Sequence, residues 1–186
     1  MTVESSSSPK NLGVLYGLIC GGVSIVFTVI LYLSGAKTFV SPLAWCGMVL
    51  PIVVCVMGGL AIRKQRGGYL EYSEALKATF LILVLGSLIA TAFQYILFNY
   101  IDVSFREALA QVTAEQVEKM MHKFGATDTQ IDEAVQKTLS KNNYTIGNLL
   151  LGFVFSCIGS FIIALIVSAI IKRKRPPFEN TFIINQ

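Results

Sequence analysis

The sequence is poor in the residues and motifs that carry enzyme chemistry. It has a single histidine, His122, and only 14% charged residues. It contains no glycine-rich phosphate-binding loop, no paired cysteine metal ligands and no nucleophile elbow. We therefore expect no enzyme activity and no cofactor.

The cysteines are not placed for an exterior disulfide. Each lies inside a long apolar run, where it is expected to be a small buried hydrophobic residue. A thiol pair within the apolar runs is the alternative, although no spacing favours it. The four cysteines are Cys20, Cys46, Cys55 and Cys157.

Charge is also absent from four long apolar runs, at 12–34, 41–62, 78–101 and 145–171. Each run reaches or exceeds the roughly 17 to 25 residues that span a bilayer as a helix. A soluble helical bundle would need a polar face on each helix, whereas 149–171 carries no charge. The sequence therefore predicts four transmembrane helices. The lack of intramembrane charge argues against a coupled transporter that acts alone.

The first apolar run also resembles a cleaved signal, because Ser34, Gly35 and Ala36 are small residues at its end. It exceeds twenty residues, however, and is longer than a typical signal core. We interpret it as a retained membrane helix.

The basic residues predict the orientation. Nine lie on one side of the predicted membrane and six on the other, where they are spread over a longer stretch. Since short cytoplasmic loops are rich in Lys and Arg, both termini are predicted to be cytoplasmic. The nine are Lys10, Arg63, Lys64, Arg66, Lys77, Lys172, Arg173, Lys174 and Arg175.

These features together predict an all-α fold. It is an integral membrane four-helix bundle of two antiparallel transmembrane hairpins, with a small extracytoplasmic helical hairpin at 102–144 between the third and fourth helices. Residues 1–10 are predicted to be a disordered cytoplasmic tail and 172–186 a basic one. The expected partner is the lipid bilayer. Nucleic acid is not an expected partner, because the basic residues behind the net charge of +4 are concentrated at the helix ends.

Small residues recur every fourth position in the first and last helices, which lets a neighbouring backbone approach closely. Packing within the bundle and contact between two copies in a homo-oligomer both fit this pattern. The positions are Gly13, Gly17 and Gly21 in the first helix, and Gly152, Ser156, Ser160 and Ala164 in the last.

Caps predict the local structure between the helices. In the cytoplasmic connection, Gly67 and Gly68 predict a turn and Ser73 an N-cap. In the exterior segment, Thr113 with Gln116 and Thr127 with Gln130 fit capping boxes, and Gly125 fits a helix stop between them. The predicted result is a pair of helices of about eleven residues.

Polar groups offer two further candidate sites. Glu115 and Glu118 precede His122 on one helix face, which suits either a metal ion or, more commonly, a solvated salt-bridged face. Within the apolar runs, Gln94, Asn99 and Asn148 are expected to pair the third and fourth helices rather than to bind a substrate.

The arrangement resembles the bacterial membrane family catalogued as domain of unknown function 4199. The resemblance rests on the glycines of the first helix, the Gly-Tyr-Leu-Glu-Tyr-Ser-Glu-Ala-Leu segment from Gly68, the Asn-Tyr-Ile-Asp segment at 99–102, the acidic helical insert and the Ser-Xaa-Ile-Xaa-Ala-Xaa-Ile ending of the fourth helix. It implies a four-span protein of the bacterial inner membrane and supplies no activity.

Two function classes follow. The first is a non-enzymatic structural or accessory protein, whose exterior hairpin binds an envelope protein or caps its own bundle. The second is an oligomeric transporter or channel subunit assembled through the small-residue stripes. An enzyme ranks third.

Overall fold

The computed structural model describes residues 9–140 and 143–174, which are all α-helical apart from turns and one isolated bridge, as predicted. A 3-10 turn covers Pro42–Trp45 and a π-helical turn covers Leu97–Ile101. Residues 1–8 of the predicted disordered tail lie outside the described residues, as does the end of the basic tail from Arg175. The helices are α1 (Pro9–Leu33), α2 (Ala36–Phe39), α3 (Cys46–Gln65), α4 (Tyr72–Ile96), α5 (Val103–Lys123), α6 (Asp128–Ser140) and α7 (Ile146–Ile171).

Four helical segments are long and apolar enough to cross a membrane: Asn11–Leu33, Pro42–Gln65, Tyr72–Ile101 and Ile146–Ile171. They leave large apolar side chains more than half exposed, among them Val26, Ile30 and Ile170. Such surfaces suit helices surrounded by lipid and not a soluble bundle, which would bury its apolar face. The chain is a multi-pass membrane protein.

The helix that carries the third apolar run begins at Tyr72, six residues before that run starts at residue 78. The proposed N-cap at Ser73 is wrong, because Glu71 occupies the N-cap position and its side chain makes no capping bond. The predicted turn is present, with φ of 73° at Gly67 and 88° at Gly68. The polar first turn can remain helical because Tyr and Lys side chains reach the headgroup region.

α4 is the central helix and contacts α1, α3 and α7. The other contacts among the spans are between α1 and α3 and between α3 and α7. The antiparallel neighbours α1 and α3 touch each other, as do α4 and α7, but the most extensive contact of α1 is with α4. Since both helices begin at the same end of the bundle, this main contact is a parallel one.

A buried hydroxyl pair joins α4 to α7. Thr79 and Ser168 are both fully buried, and their side-chain oxygens are 2.9 Å apart. The Thr79 hydroxyl also lies 2.9 Å from the Ala75 carbonyl oxygen, so neither polar group is left unsatisfied in the apolar interior.

Candidate functional site

The helical insert, α5 and α6, is attached to the bundle through Asp102. This residue is the N-cap of α5, and its carboxylate accepts hydrogen bonds from the Phe105 amide at 2.9 Å and the Ser104 hydroxyl at 2.6 Å. It also accepts one from the Tyr32 hydroxyl of α1 at 2.8 Å. The end of α1 and the start of α5 are therefore held by one side chain.

The predicted helix start at Thr113 is wrong. Thr113 lies in the middle of α5, where its hydroxyl donates to the Leu109 carbonyl at 2.7 Å. The sequence carries a signal for the true start, because Asp is a preferred N-cap. After it, Phe105 and Leu109 are spaced one turn apart, as on the buried face of an amphipathic helix.

An apolar cluster, here called the junction, lies where the insert meets the bundle. Leu97, Phe98 and Leu109 form its buried centre. Phe98 stacks on Phe105 with ring centroids 6.0 Å apart, and its ring lies 4.3 Å from that of Tyr144. The junction thus joins α4, α5 and the segment that leads into α7. The side chains packed around its centre are Tyr32, Ala36, Phe39, Val40, Phe93, Phe105 and Tyr144.

Polar contacts surround the junction. Asn99 donates to the Tyr144 carbonyl at 2.9 Å, so it reaches the segment that leads into α7. Arg106 donates to the Asn99 side-chain oxygen at 3.3 Å. Gln116 donates to the Val40 carbonyl at 3.3 Å, which ties the middle of α5 to the loop after α2.

Two titratable groups of the junction region are perturbed. Hydrogen bonds from Ser104, the Phe105 amide and Tyr32 hold the pKa of the Asp102 carboxyl below its ordinary value of 3.8. Burial raises the pKa of Tyr144 to about 12. Both groups therefore keep one charge state around neutral pH, with Asp102 ionised and Tyr144 neutral.

The lowered pKa of Asp102 predicts an acid-sensitive attachment. A carboxyl group with a lower pKa in the folded protein than in the unfolded protein stabilises the folded state above the unfolded-state pKa. This stabilisation is lost as the pH falls through the folded-state pKa. Below about pH 4, the wild type should lose more thermal stability than Asp102→Asn, which has no charge to lose. Unfolding temperatures from pH 6 down to pH 3 test this. Glu107→Gln, on an exposed part of α5, is the control, and its unfolding temperature should fall with pH as that of the wild type does. Unfolding temperatures of Asp102→Asn that fall in parallel with those of the wild type would contradict the prediction.

The far half of the insert makes fewer contacts. α6 packs on α5 and buries Ile131, and the two are joined at Gly125, whose φ of 73° ends α5 as predicted. The second capping box is half formed, because the Thr127 amide donates to the Gln130 side chain at 3.2 Å. However, Met120 is 53% exposed and Phe124 is 83% exposed, so the apolar side chains of the insert are not fully covered. We call these two residues, one turn apart on α5, the exposed apolar face.

A metal centre at His122 gains no support. Glu115, Glu118 and His122 are all exposed. Among residues 9–140 and 143–174, no group of three or more His, Cys, Asp or Glu side chains is close enough to hold a metal ion.

The glycine stripe of α1 lies against α4. A Cβ at Gly13 would be 3.3 Å from Leu81, one at Gly17 would be 2.8 Å from Leu85, and one at Gly21 would be 2.8 Å from Ile89. Gly86 of α4 also faces α1, since a Cβ added there would lie 2.6 Å from the Cys20 sulfur and 3.5 Å from the Gly21 backbone nitrogen. The sequence pattern did not single out Gly86, because it belongs to no glycine repeat.

Only the C-terminal half of the α7 stripe is packed. Ser160 and Ala164 are buried, whereas Gly152 and Ser156 are exposed. Nothing lies within 4 Å of a Cβ built at Gly152. A step of four residues turns the stripe by about 40° relative to the 3.6-residue period, so Gly152 faces away from the side of α7 that touches α4.

The basic residues that predict the orientation cluster at one end of the bundle, as far as the structure describes them. We call this end the basic end. Arg63 donates to the Ile171 carbonyl at 3.3 Å, and Arg66 pairs with Glu74. Leu70 and Arg173 exchange two backbone hydrogen bonds of 2.9 Å, which attach the connection between α3 and α4 to the end of α7.

Two more of these basic side chains make cation–π contacts with aromatic rings. The Lys172 ammonium lies 5.6 Å from the centre of the Tyr72 ring, and the Arg173 guanidinium lies 6.0 Å from that of Tyr69. Lys64 and Lys174 are exposed. The position of Arg175 is not described.

The sequence profile of one family, described as Protein of unknown function (DUF4199), matches residues 15–173. This match covers all four spans and the insert. The chain belongs to this family. No curated protein and no solved structure matched the chain. The family description assigns no activity.

Proposed function

We propose that this protein is a non-enzymatic structural or accessory protein of the bacterial inner membrane, and that its insert binds an envelope protein. One observation carries the proposal: the two halves of the insert differ. The first half of α5 is built into the junction, whereas the exposed apolar face of the second half stands clear of it. The insert is thus a firmly attached support with a free contact surface.

A protein is a better occupant of this face than the membrane surface. The segment 102–143 carries seven acidic and five basic residues, so anionic headgroups would repel it slightly. An exposed Phe next to an exposed Met is typical of a contact surface, because aromatic residues and Met are enriched at protein interfaces.

The orientation that goes with this proposal has both termini in the cytoplasm and the insert outside. Thr127→Cys should react with a membrane-impermeant maleimide on intact spheroplasts, because Thr127 is exposed on the insert. Ser73→Cys, exposed at the basic end, should react only after permeabilisation. Both variants need Cys46→Ala, since Cys46 is an exposed native thiol. The reverse labelling pattern would invert the proposed topology.

The partner is tested by site-specific photo-crosslinking in cells. A photoreactive residue at Phe124 should give one discrete protein adduct, and Met120→Ser should weaken it. The matched control is position 136 on α6, which is also exposed but polar. The same adducts from both positions, or none from Phe124, would reject the proposal.

The alternative is an oligomeric transporter or channel subunit. The exposed half of the α7 stripe favours it, because Gly152 and Ser156 leave room for a second copy to approach. The same crosslinking experiment separates the two functions: a photoreactive residue at Gly152 should then give an adduct of twice the monomer mass. If Gly152 gives no such adduct while Phe124 gives a different protein, the accessory function is favoured.

A further inference from the structure

An apolar groove runs between α1 and α4 at the basic end. It has a volume of about 480 Å³. Gly13 and Val14 line it from α1, and Ala78 and Leu81 line it from α4. Its wall therefore consists almost entirely of hydrocarbon and of a glycine backbone.

Charged groups stand at one end of this groove. Arg66, Glu74 and Lys77 also line it, and all three lie at the basic end. Arg66 pairs with Glu74 through one of its terminal nitrogens, and its Nε has no hydrogen-bond partner within the described part of the chain. Lys77 is exposed. The groove thus has an apolar wall and a polar mouth.

A wider cavity of about 1080 Å³ adjoins the mouth and shares Arg66 and Glu74 with the groove. It lies beside the bridge between Leu70 and Arg173. Cations outnumber carboxylates by two over the groove and cavity together. The cations are Arg66, Lys77, Arg173 and Lys174, and the carboxylates are Glu71 and Glu74.

The depth of the groove places it in one leaflet. From Glu74 to Leu81, α4 rises by about 10 Å, at roughly 1.5 Å per residue. This is less than half of the roughly 30 Å hydrocarbon thickness. Tyr69 and Tyr72, which line the adjoining cavity, are residues typical of the headgroup level. The mouth therefore lies where phosphates are found, and the groove lies where acyl chains are found.

We propose that this groove binds one anionic glycerophospholipid, with an acyl chain along Ala78 and Leu81 and the phosphate between Arg66 and Lys77. The excess of cations favours an anionic headgroup over a zwitterionic one. A free phosphate would leave the apolar wall without a ligand.

The test is native mass spectrometry of the full-length protein in detergent, titrated with phosphatidylglycerol or phosphatidylcholine. The wild type should retain one phosphatidylglycerol, with a dissociation constant at least about fivefold lower than for phosphatidylcholine. Equal affinity for the two lipids would overturn the proposal.

Variants separate the headgroup contact from general attraction. Lys77→Gln should weaken phosphatidylglycerol binding about fivefold and leave phosphatidylcholine binding unchanged. Lys64→Gln is the matched control, because it removes the same charge from an exposed residue that lines neither the groove nor the cavity. The same loss in both variants would mean that binding depends only on overall charge, which contradicts a built site.

The groove itself is tested by Ala78→Phe, which should fill it and weaken binding of both lipids. If this variant misfolds, Lys77→Gln still decides the matter, because its side chain is exposed. Millimolar inorganic phosphate should not displace phosphatidylglycerol from the wild type. Displacement by phosphate alone would show a phosphate site without an acyl-chain contact and would overturn the assignment of a lipid.

Discussion

Gly21→Leu should destabilise the bundle by about 3 kcal/mol, whereas Gly22→Leu, one residue further along α1, should change the free energy of unfolding by less than about 0.5 kcal/mol. A Cβ at Gly21 would lie 2.8 Å from three carbons of Ile89, and nothing lies within 4 Å of a Cβ at Gly22. Both substitutions replace glycine with leucine in the same helix, so their effects on helix propensity are the same.

The measurement is unfolding by sodium dodecyl sulfate, followed by circular dichroism. The close approach at Gly21 involves the Ile89 Cβ as well as its outer carbons, so rotation of the Ile89 side chain cannot relieve the clash. The helices must separate. Equal stability of the two variants would show that α1 does not pack on α4 through this face.

Phe98→Ala should cost about 3 to 5 kcal/mol, the usual range for a buried phenylalanine. Phe98 is fully buried at the centre of the junction, where it contacts the rings of Phe39, Phe105 and Tyr144. Its loss should loosen the insert as well as lower the unfolding temperature. Trypsin should then cleave after Arg106, near the start of α5, faster than in the wild type.

Phe124→Ala is the matched control for Phe98→Ala. It removes the same side chain from the same half of the molecule, but Phe124 is 83% exposed. We expect a change within about 0.5 kcal/mol and an unchanged cleavage rate. A loss of stability as large as that of Phe98→Ala would mean that the far half of the insert also packs on the bundle, and the proposed free contact surface would not exist.

The sequence predicts the spans because bilayer thickness imposes a length on each apolar run. It misplaces the start of α4 by two residues because Ser73 is of a preferred N-cap type, whereas Glu71 occupies the N-cap position without a capping bond from its side chain. It misplaces the start of α5 for a different reason. Thr113 and Gln116 fit a capping box, but a threonine hydroxyl can equally bond to the carbonyl four residues earlier inside a helix.

The partners of the small-residue stripes cannot be predicted from spacing. The repeat at Gly13, Gly17 and Gly21 indicates a close approach, but only the tertiary fold shows that α4 fills it. In α7, the same spacing leaves Gly152 exposed and Ala164 buried, because the stripe winds around the helix relative to its neighbour. The groove at the basic end likewise depends on which helices meet there.

The parallel contact between α1 and α4 has a consequence for biosynthesis. A membrane protein is made from its N-terminus, so α1 and α3 reach the membrane before α4 does. The glycine face of α1 packs on Leu81, Leu85 and Ile89, none of which has entered the membrane at that stage. The first helical pair must therefore stay in the membrane with this face unfilled. Its final packing takes place only when the third span enters the membrane beside it.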